Sequence, residues 1–232
     1  MNDKYFQWQF NKQQPANNLM KKNIRNKKGI FYMTQYEKII QNNLNDIFQQ
    51  PSQSLIKNID ATYSDNQYIF KAFGQMCHIT SDGIFLDNDI QTGALGIVLS
   101  LYAKHAVSET CIVEPLSAFK SFPNTAPYVG AFATHTEQIL VPHVADIEKN
   151  LSKIYEKLDG KDAPSVLSGD FAFYVKPLPK IGLCYIFYHA DEDFPASATC
   201  LFSNNASRFL PNDALADTGE YTSKCILSIS KD

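Results

Sequence analysis

The chain has 232 residues, of which 44% are apolar and 19% charged, and its net charge is −3. That length fits one large domain, and that composition can bury a real core. No apolar run approaches the ~20 residues that cross a bilayer, which argues against a membrane-spanning helix.

The charge is unevenly spread. Residues 1–33 carry seven Lys and Arg against the single acid Asp3, a local balance of +6, which leaves −9 on residues 34–232. The segment is rich in Asn, Gln and Lys and has no helical or strand period, so residues 1–32 are expected to be a disordered basic tail. Lys28-Gly29 is also the dipeptide that a translated purine-rich ribosome-binding site would give, and Met33 follows at the right distance for a start. The tail is therefore also read as a start-site artefact, with residues 33–232 forming a single domain. The acidic body argues against nucleic acid as a partner.

From Met33 the pattern becomes regular. "TQYEKIIQNNLNDIFQQ" puts Tyr36, Ile39, Ile40, Leu44, Ile47 and Phe48 on one helical stripe, with Thr34 and Glu37 as a capping box and Pro51 as the stop. "IDATYS", "QYIFKAF", "QMCHIT" and "IFL" then read as a small antiparallel meander. Asp65-Asn66, Phe73-Gly74 and Ser81-Asp82-Gly83 supply its turns. Thr92 to Val107 is a nearly all-apolar helix that should be buried centrally. Gly93 and Gly96 at its start are expected to let it approach the sheet closely. Residues 113–130 are irregular. "GAFATHTEQILVPHVADIEKNLSKIYEKLDG" predicts one helix, broken near Pro142 and ending at Gly160.

Three β-runs follow, "DFAFYVKPLP", "IGLCYIFYHA" and "SATCLFS", and then a terminal helix from Pro211 to Ser228 that starts near Asn212 or Asp213. Strands in two blocks, packed with a central apolar helix and a C-terminal helix, define an α+β fold with antiparallel sheets.

Cys77, Cys111, Cys184, Cys200 and Cys225 show no C-x-x-C spacing, so no zinc or iron–sulfur cradle is encoded. Reduced thiols in a cytoplasmic protein are expected.

The residues Gly169, Asp170, Phe173, Pro177 to Pro179, Asp191 to Pro195, Leu201, Phe202, Ala206, Ser207, Leu210 and Pro211 form a recognisable series. It resembles the C-terminal half of a bacterial and archaeal family catalogued as domain of unknown function 3786. "PLSAFKSFPN" is similar to an upstream stretch of that family, and the resemblance runs from Ile59 to Leu227. Ser203 stands where members commonly have Asp, and Arg208 where they commonly have His, so no role of those residues carries over. The resemblance implies redox or corrinoid neighbourhoods for some members, but it brings no activity and no cofactor to this chain.

The candidate ligand-binding residues gather after the second of the late β-runs. Asp191, Glu192 and Asp193 are either wet turn residues or a carboxylate cluster at a pocket rim. In the turn reading, Phe194-Pro195 packs the turn down. Arg208 is the expected counter-charge, as a clip to Asp191 or as a ligand clamp. His189 borders the acids, and histidine is the side-chain type suited to general-base work with a carboxylate orienting it. Two functions follow. One is a non-catalytic accessory domain that binds a small molecule or a protein. The other is an enzyme, with or without the help of a metal, that uses the acidic cluster with His189. No G-x-S-x-G, P-loop, G-x-G-x-x-G or H-E-x-x-H motif is present.

Overall fold

The computed structural model describes residues 33–164 and 167–231. The basic segment 1–32, with its expected disorder, lies outside the described residues.

Helix α1 (Gln35–Phe48) begins at the expected capping box. Thr34 Oγ1 accepts the Glu37 N–H at 3.2 Å, and Glu37 Oε2 accepts the Thr34 N–H at 2.6 Å. Pro51 does more than stop it. It stands immediately before a second helix, α2 (Ser52–Ile59), where its fixed φ suits a helix start. That helix takes up Ile59, which the apolar run had suggested as strand.

The meander is as expected. Strands β1 (Thr62–Ser64), β2 (Gln67–Ala72), β3 (Gln75–Ile79), β4 (Ile84–Leu86) and β5 (Asp89–Ile90) pair in sequence order, all antiparallel. Asp65-Asn66 and Phe73-Gly74 have φ of 51°, 60°, 51° and 82°, the left-handed pair that two-residue hairpins need.

Helix α3 (Ala94–His105) is the centre of the molecule, and every residue from Gly96 to Ala103 is buried. Asn43 Nδ2 on α1 donates to Ser100 Oγ at 3.0 Å, and Tyr102 Oη donates to the Ile59 carbonyl at 3.0 Å. The close approach at Gly96 is to α1 rather than to a sheet. A Cβ there would press into the Gln91 carbonyl and lie 2.7 Å from Ile40 Cδ1, whereas nothing crowds Gly93.

The second sheet has the order β6-β10-β9-β8-β7. Its strands are β6 (Ser117–Ala118), β7 (Lys161–Asp162), β8 (Phe171–Leu178), β9 (Ile181–Tyr188) and β10 (Ser197–Phe202). Seven of the eight residues of β9 are buried, which marks it as the central strand with both faces covered. The two sheets meet where the Phe73 N–H donates to the Pro177 carbonyl at 2.7 Å.

The helix expected over 130–160 is cut into pieces. They are α4 (Val129–Phe132), a π-helical turn (Ala133–Gln138), a 3₁₀ turn (Val141–His143), α5 (Val144–Lys149) and α6 (Leu151–Leu158). Pro142 accounts for one break. Asn150, with Nδ2 donating to Asp146 O at 2.9 Å, marks another. The π-turn has a tertiary cause. It lies against Gly219 of the long last helix α7 (Asn212–Lys231), and Ser223 Oγ of α7 donates to the Thr136 carbonyl at 2.8 Å. Tyr185 of β9 joins the same buried network, 3.1 Å from Ser223 Oγ.

Candidate functional site

The residues singled out in the sequence fall in three places. Asp191 and Asp193 share one exposed turn. The Asp191 carboxylate is used by that turn itself, because Oδ1 accepts the N–H of Asp193 at 2.9 Å and of Phe194 at 2.7 Å. The loop closes when the Asp191 N–H donates to the Phe194 carbonyl at 3.0 Å. Phe194 does not pack the turn down, since 71% of it is exposed.

His189 turns away from the acids beside it in sequence. Its Nε2 lies 3.1 Å from Glu148 Oε2 on α5, and its backbone N–H donates to Asp170 Oδ2 at 2.6 Å. Arg208 pairs with Glu109 rather than with Asp191: Nη2 to Oε1 is 2.6 Å and Nε to Oε2 is 3.3 Å. Among the described residues, no three His, Cys, Asp or Glu side chains are placed to hold a metal ion. Ser203, the other departure from the family pattern, is fully buried. Its Oγ accepts the Gly182 N–H at 3.2 Å, and its N–H donates to the Gly182 carbonyl at 2.8 Å, which ends the β9–β10 ladder.

A different cluster is more enclosed. Strand β6 is two residues long and pairs only with Leu201 and Phe202, so Ser197–Cys200 of β10 run on without a neighbour on that side. Unpaired backbone at a half-buried edge needs another partner. Glu137 supplies it, as its Oε1 accepts the Cys200 N–H at 3.0 Å. The π-turn carries Glu137, and such turns recur at functional sites.

Between this edge, the π-turn and the 3₁₀ turn Phe119–Ser121 lies a groove of about 280 Å³. Phe119, Lys120, Phe132, Glu137, Thr199 and Cys200 line it. Phe119 and Phe132 stack with centroids 4.5 Å apart and planes 18° apart, and both rings touch Phe202 behind them.

Burial raises the Glu137 carboxyl above its ordinary value, a shift opposed by the Cys200 N–H and by the positive charge of Lys120. Burial also lifts the Cys200 thiol well above the usual thiol range, so Cys200 is a neutral wall of the groove and not a nucleophile. The sequence offered one faint signal for this site. Glu137 is the lone acid between Val129 and Ala145, within a helical pattern that is mostly apolar or small.

The fold defines an α+β protein of two antiparallel sheets around a buried helix, with a groove where the second sheet loses an edge strand. The family model described as "Domain of unknown function (DUF3786)" matches residues 51–225, and the chain belongs to that family. The match takes in both sheets, the central helix and the groove, and leaves α1 outside. No curated protein and no solved structure matches the chain.

Proposed function

We propose that this chain is a non-catalytic, small-molecule-binding accessory domain of the cytoplasm, and that the ligand seats in the groove along β10. The carrying observation is Glu137, a half-buried carboxylate in the wall of a groove that opens past exposed Lys120 and Thr199 and is backed by the buried Phe119–Phe132 pair. Small-molecule sites have this make-up, mostly apolar with a few placed polar groups. A perturbed carboxyl in a cleft is a further mark of such a site. The groove, at about 280 Å³, is at the small end of ligand pockets, so the ligand is small. The cytoplasmic reading rests on all five cysteines being free thiols.

A catalytic reading centred on His189 has less support, because its ring pairs with Glu148 while Asp191 serves its own turn. The test is a fragment screen read by protein-observed NMR. Hits that shift the amides of Phe119, Glu137 and Thr199 are expected. Hits confined to other surfaces, or none at all, would overturn the reading.

A further inference from the structure

We propose that the groove takes a short free peptide, about three residues long, that lies antiparallel along the bare edge of β10 with its N-terminal ammonium on Glu137. This rests on the groove being the ligand site.

The groove occupies the place of a missing length of strand. Ser117 pairs with Phe202 and Ala118 with Leu201, so the next residues of β6 would face Cys200, Thr199 and Ala198. The chain instead enters the 3₁₀ turn Phe119–Ser121 and leaves that lane to the groove, which Thr199 and Cys200 line. Both ends of the lane are bounded. Phe119 closes it at the Cys200 end. Pro195, just before β10, has no N–H to carry a ladder further. At the rise of a strand, Ser197 to Thr199 gives ~10 Å, the length of a tripeptide.

The backbone along this lane supplies the recognition. Strand residues alternate between facing one neighbour and the other. The Cys200 N–H points away from β9, to Glu137, so the N–H and C=O of Ala198 point the same way. A peptide residue opposite Ala198 can exchange both hydrogen bonds with it, as a strand added to a sheet edge does.

Glu137 sets the direction. Its Oε1 stands where a neighbouring strand would put a carbonyl, 3.0 Å from the Cys200 nitrogen. An antiparallel peptide begins at that end, so its ammonium meets the carboxylate and offsets the cost of burying it. A parallel peptide would bring its own carboxylate there and be repelled. Lys120 is exposed at the mouth, where water and salt screen its charge.

The experiment titrates the full chain with three peptides near neutral pH, with amide shifts in the groove as the readout. They are trialanine, N-acetyl-trialanine, which lacks the ammonium, and trialanine methylated on its central nitrogen, which lacks the donor to Ala198. Trialanine is expected to shift the Ala198, Thr199 and Cys200 amides. Each modified peptide should bind about tenfold more weakly, the scale of one lost hydrogen bond. Glu137→Gln keeps an oxygen for the Cys200 N–H, and it should bind trialanine and its N-acetyl form equally. If either modified peptide binds the parent as tightly as trialanine, the peptide is wrong and the groove stands. The same holds if Glu137→Gln still prefers the free amine tenfold, or if none of the three shifts the groove while other fragments do. If nothing shifts it, both readings fall.

Discussion

Arg208 grips Glu109 with two nitrogens on two oxygens, across 99 residues of sequence. This fork holds the chain after β10 to the segment that follows α3. It also frees the acidic turn from any need of Arg208. Asp191→Asn and Arg208→Met should therefore have additive effects on stability, whereas Glu109→Gln and Arg208→Met should couple. Urea unfolding of the two double-mutant cycles decides. Coupling between Asp191 and Arg208 would mean that the turn reaches the arginine in solution.

The same pair fixes a pH dependence. The hydrogen bond from Arg208 lowers the Glu109 carboxyl below its ordinary value. Its stabilising contribution is present above the unfolded-state value and is lost as pH falls through the lower folded value. Both groups are exposed, so the effect is small and screened by salt. The melting temperature of Arg208→Met should approach that of the parent as pH is lowered below the glutamate range. A gap unchanged by acid would contradict the assignment.

Glu137 has the opposite sign. Burial raises its carboxyl, so the folded state holds its proton more tightly than the unfolded chain does. Stability falls as pH rises from the ordinary glutamate value to the raised one, and the full penalty applies above it. Glu137→Gln should melt higher than the parent at neutral pH, with the difference closing in acid. A cost of this kind is what the proposed binding role for Glu137 entails. Equal melting temperatures at neutral pH would show that water screens the carboxylate fully.

Gly96 sets helix propensity against packing. Propensity alone favours alanine by about 1 kcal/mol in a helix interior. The added methyl, however, would meet the Gln91 carbonyl and Ile40 Cδ1, and overpacking of a tight core costs about 1–3 kcal/mol. Gly96→Ala should thus be destabilising in chemical denaturation. A stabilised variant would mean that α1 can move away from α3.

The central position of α3 predicts the cost of a cavity. Leu99 is fully buried, so Leu99→Ala should cost about 2–5 kcal/mol in the unfolding free energy. A loss near that of a surface change, roughly 0.5 kcal/mol, would place the helix at the periphery.

The elements that rest on local rules were legible in the sequence. The stripe and capping box of α1, the left-handed turns at Asp65-Asn66 and Phe73-Gly74, the all-apolar α3 and the three late strands depend on neighbours a few residues away. Period and turn chemistry report those neighbours directly. The apolar Ile59 was ambiguous between strand and helix, and the preceding Pro51 acted as a helix start rather than only a stop. The groove depended on tertiary structure. Glu137 meets Cys200 across 63 residues because β6 is too short to cover the whole edge of β10. The π-turn that carries Glu137 forms where the chain meets Gly219 and Ser223 of α7. Composition and period say which face of an element is apolar. They do not say which distant group will satisfy a given N–H or charge, because that choice is made by strand order and by the lengths of the strands that happen to meet.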